Sequence, residues 1–487
     1  ECFFRSRFAF RRLRRYFKTA MKFDWKKFDC FLLCAAGATL LALLHPGDAA
    51  WTPAEAETVR LALEANAAGG PASPGACGAA GPAAVWLTQL FLLFTSDPVA
   101  IASAVTVAAL LGAWAALWRL AGIFHVPAGP GAALCFCSPY LWFYLRMPVG
   151  TAWLVGLSLL YAMFLALYMR EGKAGAAVGS AATALLMSYL NPAAILLPAG
   201  AAAGALVFRP AEFRRDRKNF ALGAAALLLA ASPALHTALF RDFSLAGFQH
   251  GFREALLSAR CLTGFGFSDR FAPETGLGWP GMLLFASVPA VAFLVVLGVA
   301  IVIRRVRRGE GNTFDRVAGS CALTLLIGLP LSPLLFPGAG GGEYGAVFAF
   351  AWLLPAWRGY AVLASDYRLF GRLLLTAALA LELLFLLDFS RQIRSNAGGA
   401  SESFGTSLGR QWLVAGRLAA ARRTNPDLRV EIKVDRWRDR PEMLRTLLRL
   451  ADGTELPPAG EYVGAVLLPS RSGCGIDLIF LEKPVEH

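Results

Sequence analysis

Long apolar runs divided by short polar loops set the pattern of this chain. Between Cys30 and Leu387 the runs recur at about 16–25 residues, long enough to cross a hydrocarbon core of about 30 Å. Read as windows between charged loops they predict about eleven spans. Their limits are 29–45, 98–119, 128–146, 150–169, 174–190, 193–208, 220–240, 279–303, 317–336, 345–363 and 369–388. The expected fold class is an α-helical polytopic membrane protein. Two loops, 46–97 and 241–278, are long enough to carry structure, and the first contains amphipathic helical pieces. Beyond Ser390 the pattern changes. A helical segment from Phe404 to Arg423 leads into LRVEIKVDRW, EYVGAVLLP and GIDLIFLEKP, which alternate as strands do, with PEMLRTLLRLA helical between them. Three regions follow: a basic N-terminus (1–28), a transmembrane domain (29–389) and a small α/β outer-face domain (390–487).

Composition agrees. Of 487 residues 56% are hydrophobic and only 16% charged, against about 25% charged in a soluble domain. The formal charge of +14 does not point to nucleic acid, because of where it sits. Arginine and lysine cluster at the start (RRLRRYFK, then Lys22, Lys26 and Lys27), from Arg209 to Lys218, from Arg304 to Arg308, and at Arg368 and Arg372. With the N-terminus inside and an odd number of spans, every cluster falls on the cytoplasmic side, as the positive-inside rule requires. The expected location is a bacterial-type inner membrane, with the tail periplasmic or extracellular. MKFDWKKFDCFLL from Met21 reads as an ordinary inner-membrane start, so residues 1–20 are expected to be an upstream extension dispensable for insertion. No small-residue cleavage site follows the first span, which should stay as an anchor.

The nine cysteines form no framework. Cys30, Cys34, Cys135, Cys137 and Cys321 lie in apolar runs, and Cys135-Phe136-Cys137 lacks the spacing and histidines of a zinc site. Neither a nucleotide loop nor a metalloprotease motif occurs, which argues against an ATP-driven pump.

Chemistry is concentrated after the first span, in HPGDAAWTPAEAETVRLAL. Asp48 falls beside the interface; Glu55 and Glu57 open a helix at Pro53, where acids also favour the N-terminus without any catalytic role. Arg146 ends the third span, where arginine ordinarily snorkels to headgroups. Arg253 and Arg260, seven apart in FREALLSAR, share one helical face that suits either a phosphate or water. Glu382 sits inside LALELLFLL, a depth at which an ionisable group faces a cavity or a polar partner. Tyr189-Leu190-Asn191-Pro192 divides an apolar run into a hairpin.

The order of these parts resembles the GT-C class of polytopic glycosyltransferases, which includes protein O-mannosyltransferases and aminoarabinose transferases. The resemblance rests on GDAAWTPAEAETVRLAL, GPAAVWLTQLFLLFTSDPVAIAS, the hairpin SAATALLMSYLNPAAILLPAGAAAGAL and the late segment EYGAVFAFAWLLPAW, and spans about residues 29–390. The chain departs from the family pattern at Ala49 after Asp48, at Asn191 where a lysine is common, and at Glu343 where an arginine often precedes the tyrosine. The resemblance implies transfer of a sugar from a polyprenyl-phosphate donor to a lipid, glycan or protein acceptor on the outer face, independent of nucleotide; no cofactor is expected, and a divalent metal is left open. It points to Asp48 as base, with Glu55 second, and to Arg146, Arg253, Arg260 and Tyr344 for substrate or lipid-phosphate binding. Two other readings are a lipid or lipid-linked-sugar flippase, whose polar residues would line a path at mid-membrane, and a non-catalytic binding protein of the same fold.

Overall fold

The computed structural model describes residues 37, 46–48, 51, 53–74, 77, 81–136, 138, 141–142, 145–146, 150–239, 249, 253, 278–335, 344–394, 407–424, 430–432, 441–452, 465–469 and 476–480. All of the expected first span but Gly37, and most of loop 241–278, lie outside them.

After a 3-10 turn, Pro46–Asp48, come α1 (Pro53–Ala67), α2 (Pro82–Leu92), α3 (Pro98–Phe124), α4 (Ala128–Phe136), α5 (Gly150–Glu171) and α6 (Ala174–Ser188). A second 3-10 turn, Pro192–Leu196, leads to α7 (Leu197–Phe208) and α8 (Pro210–Leu239). Then follow α9 (Gly278–Arg307), α10 (Thr313–Leu335), α11 (Tyr344–Val347), α12 (Ala349–Asp366) and α13 (Arg368–Arg394). Five stretches are long and apolar enough to cross a membrane: Pro98–Phe124, Ala152–Glu171, Pro289–Arg307, Thr313–Ser332 and Arg368–Leu387. The chain is a helical membrane protein. The runs at 174–190, 193–208 and 220–240 hold shorter apolar helices. Those at 128–146 and 345–363 are interrupted, at Ser138 and at Phe348.

In the tail, α14 (Leu408–Thr424) packs on α15 (Pro441–Asp452). Strands β1 (Val430–Ile432), β2 (Ala465–Pro469) and β3 (Ile476–Phe480) form one sheet in the order β1-β2-β3. β1 and β2 are parallel, Glu431 opposite Val466, and β2 and β3 antiparallel, Leu467 opposite Leu478.

The helices give the bundle two chemically different ends. At one, the C-terminal ends of α3, α5, α7 and α9 meet the start of α10. Phe124 stacks on Phe314 with centroids 4.1 Å apart. Arg209 donates to the Tyr168 carbonyl at 2.9 Å, and Arg305 reaches Asp315 at 3.4 Å. The basic loops gather at this arginine end. At the other end lie Asp48, α1, α2, the start of α3 and the Tyr189–Pro192 turn. There the Ala83 N–H donates to the Tyr189 carbonyl at 3.0 Å, and the Trp86 and Tyr189 rings are 5.8 Å apart. A Cβ on Gly81 would meet the Leu190 carbonyl at 2.5 Å, so glycine alone lets α2 start against that turn.

Between the ends the core is close-packed through small residues, the usual means of bringing membrane helices together. α9 crosses α12 where Gly298 faces the Pro355 carbonyl and Gly359 faces the Leu294 carbonyl, backbone on backbone. Because neither carbonyl can rotate away, Gly359→Leu should cost about 1–3 kcal/mol, the usual range for overpacking. The check is the thermal midpoint of the purified protein in detergent, beside Gly112→Leu, whose position has open space and should leave the midpoint nearly unchanged.

Candidate functional site

The end opposite the arginines, where Asp48 lies, includes a two-helix layer. α1 and α2 fold back on each other around Gln89. Its amide nitrogen donates to Asn66 Oδ1 and to the Gly70 carbonyl, both at 3.1 Å, and its oxygen accepts from the Ala72 N–H at 3.2 Å. The Trp86 indole N–H donates to the Ala72 carbonyl at 2.8 Å. These bonds pin the linker, and Cys77 seals it against Ala62 and Val85. Burial pushes the Cys77 thiol up. Thiolate is the reactive form, so N-ethylmaleimide should modify Cys77 at pH 7 far more slowly than a cysteine placed at the exposed Ala420. Equal rates followed by mass spectrometry would contradict this packing.

Asp48 ends the first 3-10 turn, half-buried, where that turn packs against α3, α13 and α14. The approach of α14 is close: a Cβ on Gly409 would stand 2.7 Å from Gly47 Cα. Three residues on, Trp51 is fully buried, and its indole N–H has no partner among the described residues.

Glu55 and Glu57 diverge although they are two residues apart. Glu55 is only 4% exposed, so it is not the solvated helix-opening acid that its position alone suggests. Glu57 stays on the surface and grips Arg60 through two oxygens, at 2.7 and 2.8 Å, which holds the guanidinium pKa above its ordinary value. Arg60 also bonds Glu64, and Arg449 of α15 lies 3.8 Å from the same Glu64, tying the tail to α1. Asp48, Glu55 and Arg146 are each held by an interaction of their own.

Arg146 departs from the snorkelling expectation. It is 5% exposed, with its guanidinium 4.4 Å above the Trp142 ring. The neighbouring Leu145 carbonyl accepts from Thr106 Oγ1 at 2.9 Å, about two and a half turns into α3 from Asp97. Asn191 caps the second 3-10 turn by accepting from the Ala193 N–H at 3.0 Å, and is itself buried. Tyr344 opens α11, whose backbone packs near that turn and α5; its side chain lies outside the described residues. Glu382 is buried on α13, the helix that also touches the Asp48 turn. Arg253 is exposed, and Arg260 lies outside the described residues. The elements that carry Asp48, Glu55 and Asn191 thus lie toward the same end of the bundle, and Arg146 borders α3 through its neighbour Leu145.

One charged centre escaped the sequence reading. Asp315, fully buried, accepts from Arg358 Nε at 2.6 Å, with Arg305 Nη1 at 3.4 Å. It also exchanges bonds with Asn312: the Asn312 N–H donates to Asp315 at 3.0 Å and the Asp315 N–H to Asn312 Oδ1 at 2.9 Å. The signal available was an Asn-x-x-Asp helix start together with an arginine inside LLPAWRGY. This cluster belongs to the arginine end, joins α9, α10 and α12, and stands apart from Asp48. Among the described residues no group of three or more metal-ligating side chains occurs. No family model, curated protein or solved structure matches the chain.

Proposed function

We propose that the protein is a membrane glycosyltransferase of the GT-C type, moving a sugar from a polyprenyl-phosphate donor to a lipid, glycan or protein acceptor at the outer face. The observation that carries this reading is the Asp48 turn, half-buried against α3, α13 and α14, at the end opposite the arginines. Positive-inside orientation makes the arginine end cytoplasmic and the Asp48 end external. Eleven spans and an external α/β tail complete the proposed topology.

In this mechanism Asp48 takes the proton from the acceptor hydroxyl or amine as its lone pair attacks the anomeric carbon. The bond from that carbon to the phosphate oxygen breaks, and polyprenyl phosphate leaves as an anion needing no proton. A cation preorganised in a dry site suits that anion, and buried Arg146 over Trp142 is such a group. Glu55 is the second candidate base, and Arg253, Arg260 and Tyr344 remain substrate contacts in this proposal.

The flippase reading needs polar groups facing a path through the bilayer. Ser320, Thr324 and Ser332 instead bond carbonyls of their own helix, at Arg316, Ser320 and Gly328. The topology is tested by a single cysteine at Ala420 in a background without other reactive thiols. A membrane-impermeant maleimide should label it from the outside of intact cells; labelling only after the cytoplasmic face is opened would reverse the orientation and remove the proposed site.

A further inference from the structure

At the arginine end a cavity of about 700 Å³ opens between α3, α5 and α6. It takes no part in the proposed transfer site. Its inner wall is apolar, formed by Trp118, Ile123, Met163, Phe164 and Leu167, and its rim is charged, with Arg119, Arg170, Glu171 and Lys173. Glu171 bonds both Arg170 and Lys173, the latter at 2.6 Å. Among the described residues no carboxylate lies within ion-pair distance of Arg119, which is exposed. Three cations against one acid leave the rim positive.

The cavity also runs into exposed apolar surface. Leu111, Ala115, Trp118 and Gly122 follow one another on one face of α3, and Leu111 is 66% exposed. From Leu111 to Gly122 this stripe runs about 16 Å, the scale of an acyl chain. Val178 on α6 is 67% exposed. Where Gly122 and Gly175 enter the cavity, a side chain would meet nothing within 4 Å, so the space is open.

We propose that this cavity is a binding site for an anionic phospholipid of the surrounding leaflet, its phosphate at Arg119 and Lys173 and one acyl chain along the α3 stripe. Basic pockets between helices on the cytoplasmic side attract acidic headgroups, and the apolar wall below the rim gives a purpose to a tail that a soluble phosphate lacks. Arginine adds planar, two-point recognition of phosphate oxygens.

The experiment is native mass spectrometry of the full chain in neutral detergent, titrated with dioleoyl-phosphatidylglycerol or dioleoyl-phosphatidylcholine. One phosphatidylglycerol should bind at least about tenfold more tightly than phosphatidylcholine. Arg119→Ala combined with Lys173→Ala should erase that preference, and because both side chains are exposed the variant should fold. Gly122→Leu, which fills open space and leaves every charge in place, should weaken phosphatidylglycerol binding by a similar factor. The proposal is overturned by equal affinity for the two lipids, by undiminished phosphatidylglycerol binding in either variant, or by displacement of the lipid with inorganic phosphate at millimolar concentration.

Discussion

Asp48→Asn is expected to lower sugar transfer from a polyprenyl-phosphate donor by about 10²–10⁴-fold, the usual contribution of a positioned acid or base. The substitution keeps the size and hydrogen bonding of the side chain and removes its ability to accept a proton. Folding should change little, since asparagine keeps the shape of Asp48 where its half-buried turn packs against α3, α13 and α14. The loss should therefore appear in turnover with an unchanged thermal midpoint. Glu55→Gln is the necessary companion. Glu55 is more deeply buried than Asp48, so losing its charge should disturb the seat of α1 before it disturbs chemistry. A large loss of turnover in Glu55→Gln with full stability, and none in Asp48→Asn, would transfer the role of base to Glu55. Full activity in both variants and in the double variant would remove these acids from the mechanism.

Arg358→Ala should produce the largest loss of stability. Arg358 and Asp315 are 8% and 0% exposed at the side chain, and their bond at 2.6 Å joins α12 to α10. Removing one partner leaves the other charge buried and unpaired, which ordinarily costs about 3–5 kcal/mol. Arg305→Ala should cost less than about 1 kcal/mol, because that side chain is 41% exposed and its contact with Asp315 is longer, at 3.4 Å. Joint replacement by Asp315→Leu and Arg358→Met should recover much of the loss, since an apolar pair leaves no charge stranded. Thermal unfolding of the four proteins in one detergent tests the set. A fall for Arg358→Ala no greater than that for Arg305→Ala would mean the buried pair contributes nothing.

Much of this organisation was legible in the chain because apolar length is a one-dimensional signal. The limits expected for 98–119, 150–169, 317–336 and 369–388 fall within a few residues of α3, α5, α10 and the apolar part of α13. The turn at Asn191-Pro192 was legible for the same local reason, a helix stop beside a capping side chain. What the chain did not reveal depends on partners distant in sequence. Hydropathy treats Glu55 and Glu57 alike, yet α1 turns one inward and the other to solvent. Arg146 reads as a span-end arginine until Trp142 is seen beneath it. The Asp315–Arg358 bond joins residues 43 apart, and nothing in either local pattern names the other. The interruption at Phe348 lies within one continuous apolar run, where composition gives no cue to a break.

The meeting of Gly47 with Gly409 has a temporal meaning. A ribosome makes the Asp48 turn before α1 to α13 and makes α14 after them, so throughout that stretch of translation the turn lacks the surface it finally rests on. The growing protein can insert its spans while this corner is still unfinished. The Asp48 turn reaches its final packing only once α14 has emerged and settled, so whatever depends on this corner waits for the tail. Chains stalled before α14 should accumulate in the membrane with the Asp48 turn uncovered.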